Sequence, residues 1–341
     1  MNDSSEGMRP SRKRSGRTVA SSSQGGVATP LVVLAKVFAI VCCAGLVLLG
    51  MWDTAEPLIP ILQSVLGFGS AALALLVVAW RRGSMSRVGW ACLAVLVALA
   101  VAPSPFPVVR VQGDPASPDL TVLTLNCQLG QADPKEIIDR LSEFDPDVVV
   151  LVETNPRHVE ELDGLGLADR YEFRTGEVRD EAAAGSMVLT KAPQEAVVDP
   201  LAEEFTFQNP LVRVGVRGTP VLIRGVHVFP PVDLYNGAWH RELTALREWS
   251  VSAGESVVLA GDFNATARHP VFRALRAEVG SSSASSGVWP AYTWPQGSFV
   301  PPFVELDHVL SRGLTCSGHR NFVVSGTDHA GVYTRCVLVS K

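Results

Sequence analysis

The sequence predicts an α/β domain with a partly antiparallel sheet, preceded by three membrane-spanning helices. Three observations carry that expectation. The first third of the chain holds three apolar runs; beyond it, strand-length apolar runs alternate with amphipathic helical patterns; and polar residues recur just past the ends of those later runs.

Residues 1–30 are rich in Ser, Gly and Arg and offer little to bury, so they read as a disordered cytoplasmic tail. Residues 31–102 hold the apolar runs. Leu31–Trp52 is apolar except for Lys36, which lies about one turn from its start and can snorkel to the interface. Pro57–Trp80 carries no charged side chain, and Val88 to about Val101 runs into the Pro-rich segment Pro103–Pro107. Each run approaches the roughly 20 residues that span a bilayer, which argues for three transmembrane helices rather than a cleaved leader. Arg9, Arg12, Lys13, Arg14 and Arg17 precede the first run, and Arg81, Arg82 and Arg87 separate the second from the third. The short connection Asp53-Thr54-Ala55-Glu56 is acidic. Positive flanks stay on the cytoplasmic side, so three spans deliver everything after Pro103 to the outside of the plasma membrane. Residues 103–118 contain five prolines and read as a stiff linker.

Residues 119–341 suit one extracytoplasmic domain. They carry 29 Asp and Glu against 19 Lys and Arg, a net charge of −10. A nucleic-acid backbone calls for a basic face, and none is evident; a small phosphate group calls for a divalent cation to offset the acidity. Thr121–Cys127 reads as a strand, Pro134–Phe144 as a helix with Pro at its start, and Asp147–Glu153 as a buried strand. Ser186–Lys191, Leu211–Arg217 and Pro220–Val228 read as further strands, the last two forming a hairpin. Gly237–Ser252 reads as a helix with Leu243, Leu246 and Trp249 on one face. It is followed by the strand that ends at Asp262, a helix over Pro270–Val279 and a loop over Ser281–Gly287. Leu306–Ser311 and Gly331–Val339 read as the final strands. Cys42, Cys43 and Cys92 fall in the apolar runs and Cys127 reads as core. Cys316 and Cys336 flank segments suited to neighbouring strands, where an exported domain permits a disulfide that spacing alone does not establish.

Asp262 and Asn264 stand two residues apart just past Val257-Val258-Leu259-Ala260, so a strand's period of two aims both to one side. Other polar residues follow apolar runs in the same way. In chain order, Leu125-Asn126-Cys127, Val152-Glu153-Thr154, Val226-His227-Val228, Gly261-Asp262-Phe263-Asn264, Leu306-Asp307-His308 and Gly326-Thr327-Asp328-His329 resemble the motifs of the endonuclease/exonuclease/phosphatase superfamily. That superfamily includes DNase I-like nucleases, neutral sphingomyelinases and inositol polyphosphate phosphatases. The resemblance spans Thr121 to Val339. It implies a four-layer sandwich of two mixed β-sheets flanked by helices, and phosphoester hydrolysis by in-line attack of water.

The resemblance also implies roles. Glu153 would hold Mg²⁺, with Mn²⁺ as a substitute, and Asn126 and Asp328 would complete the shell; hard oxygen donors suit that ion. His329 would act as general base, oriented by Asp307. Alternatively Asp262 positions or deprotonates the water while Asn264 holds a phosphate oxygen, and the family leaves that division open. His227 matches the histidine that donates to a non-bridging oxygen as charge develops. His158, His240, His269, His308 and His319 read as structural, and no His or Cys cluster has zinc-site spacing. Gly-x-Ser-x-Gly is absent from the sequence.

An anchored, outward-facing, acidic domain with such a site points to a lipid-linked phosphate or pyrophosphate at the outer membrane face. The rivals are an anchored nuclease and a sphingomyelinase-like phosphodiesterase. Three spans followed by this domain also resemble the VanJ-type membrane proteins of actinobacteria, which implies undecaprenyl pyrophosphate as substrate and a link to teicoplanin resistance.

Overall fold

The computed structural model describes residues 28–56, 58–80, 87–101, 117–178, 180, 182–232, 237–288 and 290–339. The expected N-terminal tail and Pro-rich linker fall almost wholly outside these residues. Three helices come first: α1 (Ala28–Met51), α2 (Leu58–Trp80) and α3 (Arg87–Val101). Two of them hold stretches long and apolar enough to cross a membrane, Val33–Met51 in α1 and Leu58–Leu75 in α2, with mean hydropathy 2.5 and 1.8.

Among the described residues the third apolar run does not reach that length: α3 has 15 residues. Arg268, from far along the chain, donates from Nη1 to Leu99 O at 2.8 Å and from Nη2 to Ala100 O at 3.1 Å. A cation at a helix C-terminus is favoured by the helix dipole as well. Gly67 of α2 leaves room for the guanidinium, since a Cβ there would clash with it.

The rest of the chain contains β1 (Leu120–Asn126), α4 (Pro134–Phe144), β2 (Val148–Val152), α5 (Pro156–Gly164), α6 (Leu167–Arg170), β3 (Phe173–Thr175) and β4 (Ser186–Thr190). These are followed by β5 (Gln194–Ala196), β6 (Leu211–Val216), β7 (Thr219–His227), α7 (Ala238–Ser252), β8 (Ser256–Asp262) and α8 (Pro270–Glu278). The last elements are β9 (Gly280–Ser281), α9 (Ser282–Ser286), β10 (Asp307–Arg312), β11 (Leu314–Phe322) and β12 (Gly331–Leu338). Helix starts follow local chemistry: Asp133 and Asn155 accept from the N–H groups of Glu136 and His158, each ahead of a proline at the first turn.

The strands form two mixed six-stranded sheets, in the orders β11-β12-β1-β2-β4-β3 and β5-β6-β7-β8-β10-β9. β1 with β2 and β7 with β8 are parallel, and the other pairs are antiparallel. Alternation along the strands builds the layers. Val122, Val148, Val150, Val188, Val221, Ile223, Val258, Ala260 and Val309 meet between the sheets. Leu123, Leu125, Val149 and Leu151 turn outward onto Ile137, Leu141 and Leu162 of α4 and α5. Leu222, Val226, Val257 and Leu259 turn outward onto Leu243, Leu246, Phe272 and Leu275 of α7 and α8.

Several details differ from the sequence reading, which also leaves α5, α6, β3 and β5 unnamed. Ser281–Gly287 is a two-residue strand and a short helix rather than a loop. A further strand, β11, was not expected, because Gly318 and a register shift between Ser317 and Arg320 break its alternation. It pairs Cys316 directly with Cys336 on β12, and the two form a disulfide. The hairpin turn is Arg217-Gly218 rather than Gly218-Thr219, with φ of +48° and +81° and Val216 opposite Thr219. Positive φ at both central residues matches the right-handed twist of a hairpin.

The segment after β8 bonds the ends of the apolar helices. Besides Arg268, Arg273 Nη2 donates to Gly50 O of α1 at 2.9 Å. His269 Nδ1 accepts from Thr266 N, so Nε2 is the donor to Pro60 O of α2 at 3.0 Å. His240 Nε2 meets Asp53 Oδ1 at 3.0 Å, between α1 and α2.

Arg224 is fully buried on β7 and clamps the segment leading to β6. Its guanidinium makes two bonds to Asp199, at 2.8 and 2.6 Å, and one to Asn209 O at 3.1 Å, and lies 4.5 Å from the Trp249 ring centroid. Arg224→Ala leaves the Asp199 carboxylate and Asn209 O without their donor. A loss of about 3–5 kcal/mol is expected in chemical denaturation of the detergent-solubilised protein. A loss under about 1 kcal/mol, the scale of an exposed pair, would show that the clamp is dispensable.

Candidate active site

The same alternation that fills the space between the sheets places polar residues at one rim of it. On β1, Val122, Thr124 and Asn126 share a face; on β7, Val221, Ile223 and His227; on β8, Val258, Ala260 and Asp262; on β10, Val309 and Asp307. Register lines up the ends: His227 lies opposite Asp262, and Asp262 opposite Asp307. In the other sheet Asn126 lies opposite Val152, next to Glu153, and Thr124 lies opposite Val332, just after the Asp328-His329 turn. All eight expected site residues therefore come to one rim.

Backbone strain aims two of them. Glu153 has φ +52° and Asn264 φ +46°, left-handed values that are costly without glycine. A regular continuation of β2 would send Glu153 outward with Leu151; the turn brings its carboxylate back to Asn126 instead. Gly261 allows the β8 end to approach β7. With φ +147°, a Cβ there would lie 1.9 Å from Val226 O.

The hydrogen bonds join both sheets. Asn126 Nδ2 donates to Glu153 Oε1 at 2.9 Å and to Asp262 Oδ2 at 3.1 Å, while Asn126 Oδ1 accepts from Gln128 N. Glu153 Oε2 accepts from Leu129 N, and His227 Nε2 lies 3.6 Å from Glu153 Oε1. Asp262 Oδ1 accepts from Asn264 N at 2.8 Å. His329 Nδ1 meets Asp307 Oδ2 at 2.8 Å, and its Nε2 lies 3.9 Å from both Asp262 Oδ2 and Asp328 Oδ1. Asn264 is partly engaged elsewhere, its Nδ2 donating to Val228 O at 2.9 Å.

Burial and crowding of like charge set the protonation states. Burial pushes Asp262 up to about 6, with Asp307 adding to that and His329 opposing it. Burial alone would lower His329, but Asp307, Asp262 and Asp328 outweigh it and push the ring up to about 10. His227 is held below its ordinary value, first by burial, with Asp262 working against the shift. Four carboxylates thus share the rim with two imidazoles, one of them held neutral.

That excess of negative charge is what a cation site requires. Glu153, His227 and Asp262 form one group whose ligand atoms lie within 4.8 Å of one another, and Asp262, Asp307 and His329 form a second. Among the described residues the buried Asp307 Oδ1 has no hydrogen-bond partner. Oxygen-rich donors and an unmet carboxylate oxygen fit a hard divalent ion.

Several supporting residues have no role in the sequence reading. Asn209 brackets His227, with Oδ1 accepting from His227 N and Nδ2 donating to His227 O, and Phe207 stacks on the ring at 4.4 Å. No periodic signal marks the loop that carries them. Thr327 accepts from His329 N and donates to Asn126 O at 2.8 Å; it sits inside the Gly-Thr-Asp-His motif, which is where it could have been found. Trp294 donates to Asp328. The remaining histidines have structural partners: His158 with Thr154 and Ala132 O, His308 with Ala265 O, His319 with Ser282 and Asn321, and His240 and His269 at the helix seat.

The model for the endonuclease/exonuclease/phosphatase family matches residues 123–329. Among solved structures, D. rerio TDP2 humanized by 14 mutations aligns at 18% identity and a TM-score of 0.51, over 64% of this chain and 98% of that one. D. rerio TDP2 complexed with a single-strand DNA product aligns at 17% and 0.50, over the same shares. Sphingomyelinase C from Streptomyces griseocarneus aligns at 22% and 0.44, over 63% and 98%. At these identities the likeness is one of fold. No curated protein sequence is significantly similar to the chain.

Gly261→Ala forces β7 and β8 apart where His227 faces Asp262. The variant is expected to lose at least about 1–3 kcal/mol of stability and to show faster hydrogen exchange at 226–228 and 261–264. Unchanged exchange there would mean that the close approach does not set the register.

Proposed function

The chain belongs to the endonuclease/exonuclease/phosphatase family, and on that premise we propose that it hydrolyses a lipid-linked phosphate or pyrophosphate at the outer face of the membrane. Family members are phosphoester hydrolases that usually depend on a divalent metal. The observation that carries the lipid reading is the seat of the domain: the segment bearing Asp262 and Asn264 continues directly into Arg268 and His269, which bond the ends of α3 and α2. A substrate phosphate at a bilayer surface would meet the site without leaving the membrane. The net charge of −10 over residues 119–341 supports the same reading against a nucleic-acid polyanion.

In this reading the three apolar helices cross the plasma membrane, the N-terminus is cytoplasmic and residues 119–341 form the extracytoplasmic domain. α3, with Arg268 on its Leu99 and Ala100 carbonyls, meets the domain on the outer side. On this reading the chain is a VanJ-type protein, with undecaprenyl pyrophosphate as substrate and a part in resistance to teicoplanin-type antibiotics.

Glu153 would hold Mg²⁺, or Mn²⁺ in its place, with Asn126 and Asp328 beside it. When bound, the ion would supply positive charge to the phosphate oxygens. The chain's own groups do the rest. Asp262 and His329, 3.9 Å apart, flank the place of the attacking water; Asp262 would take its proton directly, and His329, kept protonated by the carboxylates around it, would do so only once a bound ion offsets their charge. Asp307 orients the His329 ring and stabilises its charged form. His227, fixed by Asn209 and Phe207, would donate to a non-bridging oxygen as charge builds, and Asn264 would offer its second amide hydrogen to another. Water forms the new P–O bond as the bond to the bridging oxygen breaks, so the lipid-bearing oxygen is the leaving group and the attacked phosphorus is released as phosphate.

Detergent-purified protein is to be assayed with undecaprenyl pyrophosphate, phospholipid vesicles and plasmid DNA, with Mg²⁺ or a chelator. Phosphate release from the isoprenoid is expected to need Mg²⁺ and to fall about 10²–10⁴-fold in His329→Ala. Plasmid nicking without phosphate release from the isoprenoid would establish the nuclease reading instead, and headgroup release from phospholipid the sphingomyelinase-like one. Unchanged activity in Glu153→Ala would contradict its place at the ion.

A further inference from the structure

Trp294 belongs to none of the motifs, yet its segment joins the two halves of the rim to each other. Thr293 Oγ1 accepts from Leu306 N at 3.0 Å and Asp307 N at 3.2 Å, while Thr293 O accepts from Ala330 N at 2.8 Å. Trp294 N donates to Val304 O, and Phe303 N donates to Trp294 O, both at 3.0 Å. Gln296 N donates to Asp328 O at 2.7 Å. Residues 293–296 therefore tie the Asp307 end of β10, in one sheet, to the Asp328–Ala330 approach to β12, in the other.

The indole completes the tie with a side-chain bond. Nε1 donates to Asp328 Oδ2 at 2.9 Å, on a carboxylate whose Oδ1 lies 3.9 Å from His329 Nε2. An N–H bond to one oxygen fixes the direction of the other. Beyond the indole, Phe303 packs edge-on at 5.8 Å, and Phe68 of α2 packs edge-on against Phe303 at 5.9 Å and near Tyr292 at 6.5 Å. A contiguous aromatic path thus runs from an apolar helix to a carboxylate beside the candidate base.

We propose that Trp294 is a positioning residue: its indole N–H fixes the Asp328 carboxylate for the divalent ion, and Phe303 and Phe68 steady the indole from α2. The domain's seat on the helix is thereby coupled to the grip on the ion. This deepens the hydrolase reading and rests on it only for what the ion does. A purely structural tryptophan would contribute packing, which Trp294→Phe largely keeps; the proposal needs the N–H, which that variant removes.

The test uses the full chain in detergent with Mn²⁺ as probe, free ion being read by electron paramagnetic resonance and folding by the thermal midpoint without metal. Trp294→Phe is expected to bind Mn²⁺ about 10–100-fold more weakly with little change in the midpoint. Trp294→His, which restores an N–H donor, recovers part of that affinity, and Phe68→Ala weakens binding by a smaller factor. In an Asp328→Asn background Trp294→Phe adds no further loss, because the two act through one bond. Wild-type Mn²⁺ affinity in Trp294→Phe, or an equal loss with and without Asp328, would overturn the proposal. Wild-type affinity in Phe68→Ala would overturn the coupling to α2. Since none of these readouts uses hydrolysis, a failure of the proposed activity leaves them unaffected and separately visible.

Discussion

The two-residue period of the inter-sheet face is the constraint on which the rest of the structure depends. Along β1, β7 and β8 the side chains that fill the space between the sheets are followed, on the same face, by Asn126, His227 and Asp262, and on the antiparallel β10 Asp307 precedes Val309 in the same way. Valine and isoleucine dominate that layer, and each fully buried side chain of this size stabilises by about 1.5–3 kcal/mol. Burying carboxylates costs several kcal/mol each unless they are paired or hydrogen-bonded, and the apolar layer is what holds them there. A one-residue slip in any of these strands would turn its polar residue to the outer face and its valines with it. Packing and chemistry are therefore specified by one register.

Charge is the second consequence. Burial raises Asp262 to about 6, with Asp307 adding to the shift, while at His329 the nearby Asp307, Asp262 and Asp328 outweigh burial, so the ring keeps its proton up to about 10. The Asn126 amide, donating to Glu153 and Asp262 at once, offsets part of the carboxylates' repulsion across the gap between sheets. The Asp307 oxygen that finds no partner marks where protein groups run out. A divalent ion is the simplest completion of such a site, and the acidity of the surrounding domain makes the same ion necessary for admitting a phosphate.

Much of this was legible in the sequence because it depends on local pattern. Apolar runs ending in Asn126, Glu153, His227 and Asp262 announce strand ends, and Pro134 and Pro270 announce helix starts. What escaped depends on distant partners. Arg268 supplies donors to the Leu99 and Ala100 carbonyls of α3 from elsewhere in the chain, which no hydropathy window reports. β11 escaped because its partner strand tolerates a bulge that breaks the alternation. The inward turn of Glu153 is a positive-φ residue at the end of a regular strand, and Asn209 and Trp294 lie in loops whose roles exist only once both sheets are assembled. The left-handed Glu153 also departs from ordinary propensity in the place where function would demand it.

The measurement that reaches most directly to the centre is anomalous diffraction from crystals of the full chain soaked in Mn²⁺. The shared rim as a divalent-ion site predicts an anomalous peak within about 2.5 Å of a Glu153 carboxylate oxygen, between the two sheets. A well-diffracting crystal with no peak there, or with Mn²⁺ held only at residues away from Glu153 and Asp262, would contradict it.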